Sequence, residues 1–248
     1  MQNRYVADIG DYVKLAILRA LAPDRCVGVV WWRFSDEDHN ADGGHREYLA
    51  RPSDWKHFDS DLFEALLTID KTKKRDVCAI EESGVLPNAV FVSQEIPCKE
   101  LPFSLRPVKR SRWLVEIKAE LKCCTLVFLD PDNGIASERL RMTRRCAGKS
   151  VTIAEIKQLQ EDGRTMVVYH HQSHRKGGHY CEICDLAARL RESGLNVSGA
   201  LRARPWSPRV FFMLNADRQL RERAKSIAER WGSWISWHPD VEILKGSI

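Results

Sequence analysis

Four short runs, apolar almost throughout, punctuate the chain: "CVGVVWW" at 26–32, "AVFVS" at 89–93, "TLVFL" at 125–129 and "TMVVYH" at 165–170. A strand with one wet face would alternate apolar and polar residues. These runs do not, so they read as strands covered on both faces. Between them, apolar residues recur at helical spacing. Val13, Ile17 and Leu21 fall one turn apart in 10–21, and Leu62, Leu66 and Ile69 share a face in 61–69. Further helices are expected from Pro107 to about Leu121, from Thr152 to Gly163, over 181–192, and over 218–230 between Asp217 and Gly232. Covered strands alternating with amphipathic helices predict an α/β chain with a mostly parallel sheet. "VSGALRA" and "RVFFMLNA", joined through "RPWSP", predict an antiparallel C-terminal strand pair. No linker interrupts the pattern. Residues 1–248 therefore read as a single α/β domain, with elaborations at about 40–86 and 136–150.

Ligands of open α/β sheets bind outside the carboxyl ends of the strands. The run ending at Leu129 leads straight into Asp130, Pro131, Asp132, Asn133 and Gly134. Pro131 fixes its own φ and biases Asp130 to an extended conformation, and Gly134 permits a sharp exit. Three polar groups thus stand on a stiff corner. Three further polar segments should reach the same rim if the strands are parallel: "NRYVADIGDYVK", "SDEDHNADGGH" and "YHHQSHRKGGH". The last supplies His170 and His171 as candidate bases beside the Asp-Pro corner.

This layout resembles that of S-adenosylmethionine-dependent methyltransferases. Within them it is most similar to the bacterial large-subunit ribosomal RNA adenine-N6 methyltransferase family. The likeness rests on Asp11 and Lys14 at a helix start before the first strand, and on Asp130-Pro131 after a later one. It implies a Rossmann-like, methyltransferase-type sheet, S-adenosylmethionine as cofactor, and an adenine amino group as the acceptor. It also implies that Asp130 and the Pro131 carbonyl accept hydrogen bonds from that amino group. Asp132 stands where the family motif has a second proline, and Asn133 where it has an aromatic residue. The cofactor end would fall on Lys14, Trp31, Trp32, Asp36, Asp38 and His39, in a stretch without the usual glycine-rich turn.

A second reading uses the same corner for a metal. Asp130, Asp132 and Asp38 with His174 would hold Mg or Mn for phosphodiester hydrolysis. A third is a non-catalytic subunit that keeps the fold and binds nucleic acid or a protein partner. Basic residues bear on all three. Arg141, Arg144, Arg145 and Lys149 follow the corner, Arg204 and Arg209 flank Trp206, and Arg106, Lys109, Arg110 and Arg112 gather at a helix start. With a net charge of +5, these clusters predict a nucleic-acid partner, RNA or DNA, held partly through phosphates.

The polar start "MQNRYVADIGDYVK" and the lack of any long apolar run predict a cytoplasmic protein with no membrane association. Its eight cysteines are expected as reduced thiols, with Cys123 and Cys124 buried. "HYCEIC" sets His179, Cys181 and Cys184 close enough to suggest a zinc ligand set.

Overall fold

The computed structural model describes residues 1–37, 43–72, 75–97, 101–160, 163–173 and 176–239. Eight α-helices and nine strands alternate among them. They are α1 (Ile9–Leu21), β1 (Val27–Val30), α2 (Pro52–Trp55), α3 (Ser60–Lys71), α4 (Val77–Glu82), β2 (Ala89–Val92), α5 (Arg106–Glu120), β3 (Leu126–Leu129), β4 (Gly134–Ile135), β5 (Ser150–Val151), α6 (Ile153–Gln160), β6 (Thr165–His171), α7 (Gly178–Glu192), β7 (Val197–Ala203), β8 (Arg209–Leu214), α8 (Arg218–Trp231) and β9 (Ile235–His238). Seven strands form one sheet in the order β2-β1-β3-β6-β8-β7-β9. The first four run parallel, while β8 lies antiparallel between β6 and β7.

The expected α/β class, parallel core and antiparallel C-terminal pair are therefore present. Boundaries differ by a few residues. The third interior helix begins at Gly178 rather than Cys181, because Gly177 adopts φ 96° and caps it. Two features lacked a sequence signal. The ladder of β4 with β5 has only two residues a side, and β9 is an interrupted "ISWH" that completes the edge beside β7.

Each face of the sheet carries its own core. Helices α1, α3 and α8 cover one face, where Tyr12 packs against Tyr48, Phe63 and Trp231. Helices α5, α6 and α7 cover the other through Trp113, Ile117, Ile156 and Ile183. Trp31 and Trp32 divide between these cores in continuation of the strand's alternation, Val29 and Trp31 on one face and Val30 and Trp32 on the other, and Trp32 takes a left-handed backbone, φ 49°. Trp31 stacks on Phe91 at 5.9 Å, and Trp32 meets Trp113 edge-on at 5.0 Å. A left-handed tryptophan costs about 1–3 kcal/mol, which the two packed indoles offset.

Strands β1, β3 and β6 lie side by side and in register, Val30 beside Leu129 beside Val168. Their exits therefore share one rim. The β7–β8 hairpin turn is at the same rim, since Arg209 opens β8 opposite His171 of β6.

Candidate active site

The rim begins with α1. Asp8 caps this helix by accepting from the Asp11 N–H at 2.9 Å, a contact that contributes about 1 kcal/mol. Asp11 reaches back to accept from the Ala7 N–H at 3.2 Å. This reciprocal pair fixes the helix start, so that Lys14, one turn on, projects over the sheet end. Its ammonium lies 2.7 Å from Asp130 Oδ2 and 3.1 Å from Asp11 Oδ1, and 5.6 Å from the centre of the Tyr169 ring. All of these groups are buried.

The Asp-Pro corner is tied from several sides. Lys14 holds the Asp130 carboxylate, and the Asp130 carbonyl accepts from the Met1 amine at 3.1 Å. The same amine lies 2.7 Å from Asp132 Oδ1, while Gln2 donates to Asp132 Oδ2 at 2.7 Å. The Pro131 carbonyl accepts from Gly134, and the Asn133 N–H donates to the Lys149 carbonyl. Gly134 is required here. Its φ is 80°, and a Cβ would stand 2.5 Å from the His170 backbone.

A cavity of about 350 Å³ opens against this corner. Lys14, Asp130, Asp132 and Tyr169 line it with Asp8, Arg209, His171, His45, Lys149 and Trp206. Tyr169 Oη lies 3.2 Å from His171 Nδ1. Arg209 is buried, donating to the Pro205 carbonyl at 2.8 Å and Ser207 Oγ at 2.9 Å, while its Nε has no protein partner. Trp206 stands at the mouth, 61% exposed, 4.5 Å from the His45 ring. It occupies the centre of a turn closed by Ser207 N–H to the Pro205 carbonyl, with φ 65°. A γ-turn at a non-glycine residue is strained. Here it holds a large aromatic face outward over the cavity.

Burial pushes the Asp8 carboxyl up, against the pull of Arg209 and Lys14. Burial likewise pushes Asp11 up to about 7, with the charges of Asp8 and Asp130 adding to it. Burial disfavours the charge of Lys14, but Asp130 and Asp11 outweigh it and the ammonium stays protonated. Asp11, like Asp8, is thus an acid whose protonated form burial favours. Its raised folded pKa means that the native state binds this proton more tightly than the unfolded chain. Its contribution to stability is therefore largest below about pH 4, and it declines as pH rises to about 7. The expected result in Asp11→Asn is a shallower fall in stability between pH 4 and 7 than in the wild type, read from urea midpoints.

Of the residues singled out in sequence, the cavity gathers Lys14, Asp130, Asp132, Asn133, His171, Lys149 and Trp206. His170 faces away, as strand alternation requires. Its Nδ1 accepts from the Ile135 N–H at 3.1 Å, and its Nε2 lies 3.5 Å from Glu182. Trp31 and Trp32 are fully buried and line no part of the cavity. Trp31 donates to Glu81 Oε1 and Trp32 to the Ser150 carbonyl. Asp36 is exposed and accepts from the Asn3 N–H at 2.7 Å. Asp38, His39 and His174 lie outside the described residues. Arg141, Arg144 and Arg145 are exposed and line no part of the cavity, whereas Lys149 does and pairs with Glu37. Arg204 bonds Ser236 Oγ at 3.1 Å and the Ser233 carbonyl at 3.3 Å.

Sequence reading passed over Asp8 and His45, and took Arg209 for part of a surface cluster. Asp8 had a signal in the Asp-x-x-Asp cap, and Arg209 in being a lone charge at the head of an apolar strand. Arg110 also leaves the surface cluster, since it is buried against Glu155. The thiol expectations change as well. Cys124 is buried but Cys123 is exposed. Among the described residues the clustered thiols are Cys26, Cys123 and Cys124, rather than the "HYCEIC" group. No helix among the described residues is long and apolar enough to cross a membrane. No family model, no curated protein and no solved structure matches the chain.

Proposed function

We propose that the protein is an enzyme acting on nucleic acid, with methyl transfer from S-adenosylmethionine to a base as its reaction class. The observation that carries this reading is the gathering of Lys14, Asp130, Tyr169, Arg209 and Trp206 around one cavity at the carboxyl ends of parallel strands. The sheet order adds support, because an antiparallel strand set between two others near the C-terminal edge agrees with the methyltransferase-like layout.

The chain's own groups suit a nucleobase. Trp206 offers a stacking face, and base–aromatic stacking contributes about 1–3 kcal/mol. Arg209 Nε is a buried donor in need of an acceptor, and leaving it unmatched costs free energy. The remaining lone pairs of Asp130 can accept from an exocyclic amino group while Lys14 holds the carboxylate in place. His171, beside the Tyr169 hydroxyl, is placed to take a proton from the base. The exposed Arg141, Arg144 and Arg145, on the segment that leads to Lys149 at the cavity, would hold the phosphates.

The cofactor has no cradle at the β1 exit among the described residues, because Trp31 and Trp32 fill that corner. The carboxylate partners favour methyl transfer over metal-dependent hydrolysis. Lys14 and the Met1 amine already neutralise Asp130 and Asp132, and a divalent ion would have to displace both.

Calorimetric titration with S-adenosylhomocysteine and adenosine monophosphate tests the reading. Saturable binding of both is expected. Trp206→Ala should weaken the nucleotide by roughly 10-fold to 100-fold, because stacking contributes about that much, and leave stability within about 0.5 kcal/mol at this exposed position. Absence of cofactor binding, together with turnover that appears only with manganese, would instead establish hydrolysis.

A further inference from the structure

At the opposite end of the sheet from the cavity, three thiols meet. Cys26 immediately precedes β1, and Cys123 and Cys124 sit in the turn before β3. Their sulfurs all lie within 4.8 Å of one another. We propose that Cys26, Cys123 and Cys124 form a binding site for a thiophilic d10 cation, with zinc(II) as its natural probe.

The geometry is that of a ligand set. Cys26 Sγ and Cys124 Sγ are 3.8 Å apart. Two thiolates on a tetrahedral zinc, with bonds of about 2.3 Å, stand about 3.8 Å apart. The backbone that carries this pair is fixed by strand pairing. The Cys26 carbonyl accepts from the Thr125 N–H at 3.1 Å, and the Cys124 N–H donates to Leu121 at 2.9 Å. Gly28 keeps the space clear, since a Cβ there would stand 3.1 Å from Cys124 Sγ and 2.3 Å from Leu121 Cδ2. Cys123 is exposed on its turn, so its side chain can swing the remaining distance, up to about 1 Å, and leave the fourth position to water.

Three thiolates with one open position select zinc(II) or copper(I) over hard cations. Each thiol must lose its proton to bind, so one zinc(II) displaces three protons to solvent. Bound metal would join the amino ends of β1 and β3, and its loss would loosen the strand pair from which the distant rim is built.

The test is cobalt(II) and zinc(II) titration of the full chain, reduced and freed of metal by chelator. One equivalent of cobalt(II) should give thiolate-to-metal charge-transfer bands, which one equivalent of zinc(II) abolishes. Zinc(II) should raise the melting temperature in step with its free concentration. Cys123→Ser, at an exposed position that leaves the fold intact, should weaken zinc(II) on the order of 100-fold. The exposed Cys146→Ser should change nothing. Absence of charge-transfer bands, or zinc(II) affinity unchanged in Cys123→Ser, would overturn the site. So would a reduced protein that binds no metal but loses two hydrogens in air as Cys26 and Cys124 join in a disulfide.

Discussion

Replacing Lys14 with methionine is expected to remove about 3–5 kcal/mol of stability, the range for breaking a buried ion pair from one side. Lys14 is the cation shared by Asp130 and Asp11, at 2.7 and 3.1 Å, and all three are buried. Methionine fills a similar volume, so the loss is electrostatic rather than a cavity effect. Two carboxylates would be left in a place that already pushes Asp11 up to about 7. The variant should therefore be least impaired at low pH, where protons replace the ammonium, and worsen as pH rises. Urea denaturation at pH 5 and pH 8 reads both parts. Adding Asp130→Asn should recover part of the loss, because the pair forms one unit and its contributions do not add. Strictly additive losses, or a variant as stable as the wild type at pH 8, would show that the ammonium is not the centre of this network. Nucleotide binding should also fall in Lys14→Met, since the contact that holds the Asp130 carboxylate in place at the cavity would be lost.

The second large effect lies behind the corner rather than in it. Arg110→Met should also cost about 3–5 kcal/mol. The guanidinium grips Glu155 through two bonds of 2.6 and 2.9 Å. It donates further to the carbonyls of Ala147 and Ser150, each at 2.6 Å. It also lies 5.3 Å from the Trp32 ring centre. One side chain thus fastens α5 to the segment that carries Lys149 and to β5. That segment in turn receives the Asn133 N–H and pairs with β4. Arg110→Lys should recover less than half of the loss, because an ammonium cannot reproduce a planar fork. Denaturation midpoints of the two variants decide this. Equal stability of Arg110→Lys and wild type would show that charge alone suffices.

These two side chains also mark what could be read from the sequence. Strand positions were legible because fully apolar, valine-rich runs have few other uses, and their shared direction followed from the helices between them. The Asp-Pro corner was legible because a strand that ends in acids and proline is unusual. Lys14 was visible beside Asp11 through a likeness in spacing. Arg110 was not, since a buried arginine and a surface arginine at a helix start look the same until Glu155 is seen to approach from 45 residues away. Arg209 had a weaker cue, as a lone charge at the head of an apolar strand, but groups in sequence with its basic neighbours instead. His170 and His171 looked equivalent in sequence, and only the orientation of β6 separates them, His171 toward the cavity and His170 toward Ile135 and Glu182. The Met1 amine gave no signal, because its partners, the carbonyls of Trp31, Trp32 and Asp130 and the carboxylate of Asp132, meet it only in the fold.

A crystal structure of the wild-type chain grown with S-adenosylhomocysteine and adenosine monophosphate measures the main point directly. The adenine ring is expected against Trp206, with its amino group toward Asp130 and with Arg209 Nε at last supplied with an acceptor. An adenine seated instead in the groove at the amino ends of β1 and β2, lined by Ala20, Leu86 and Trp231, would contradict the assignment of the rim as the site of chemistry.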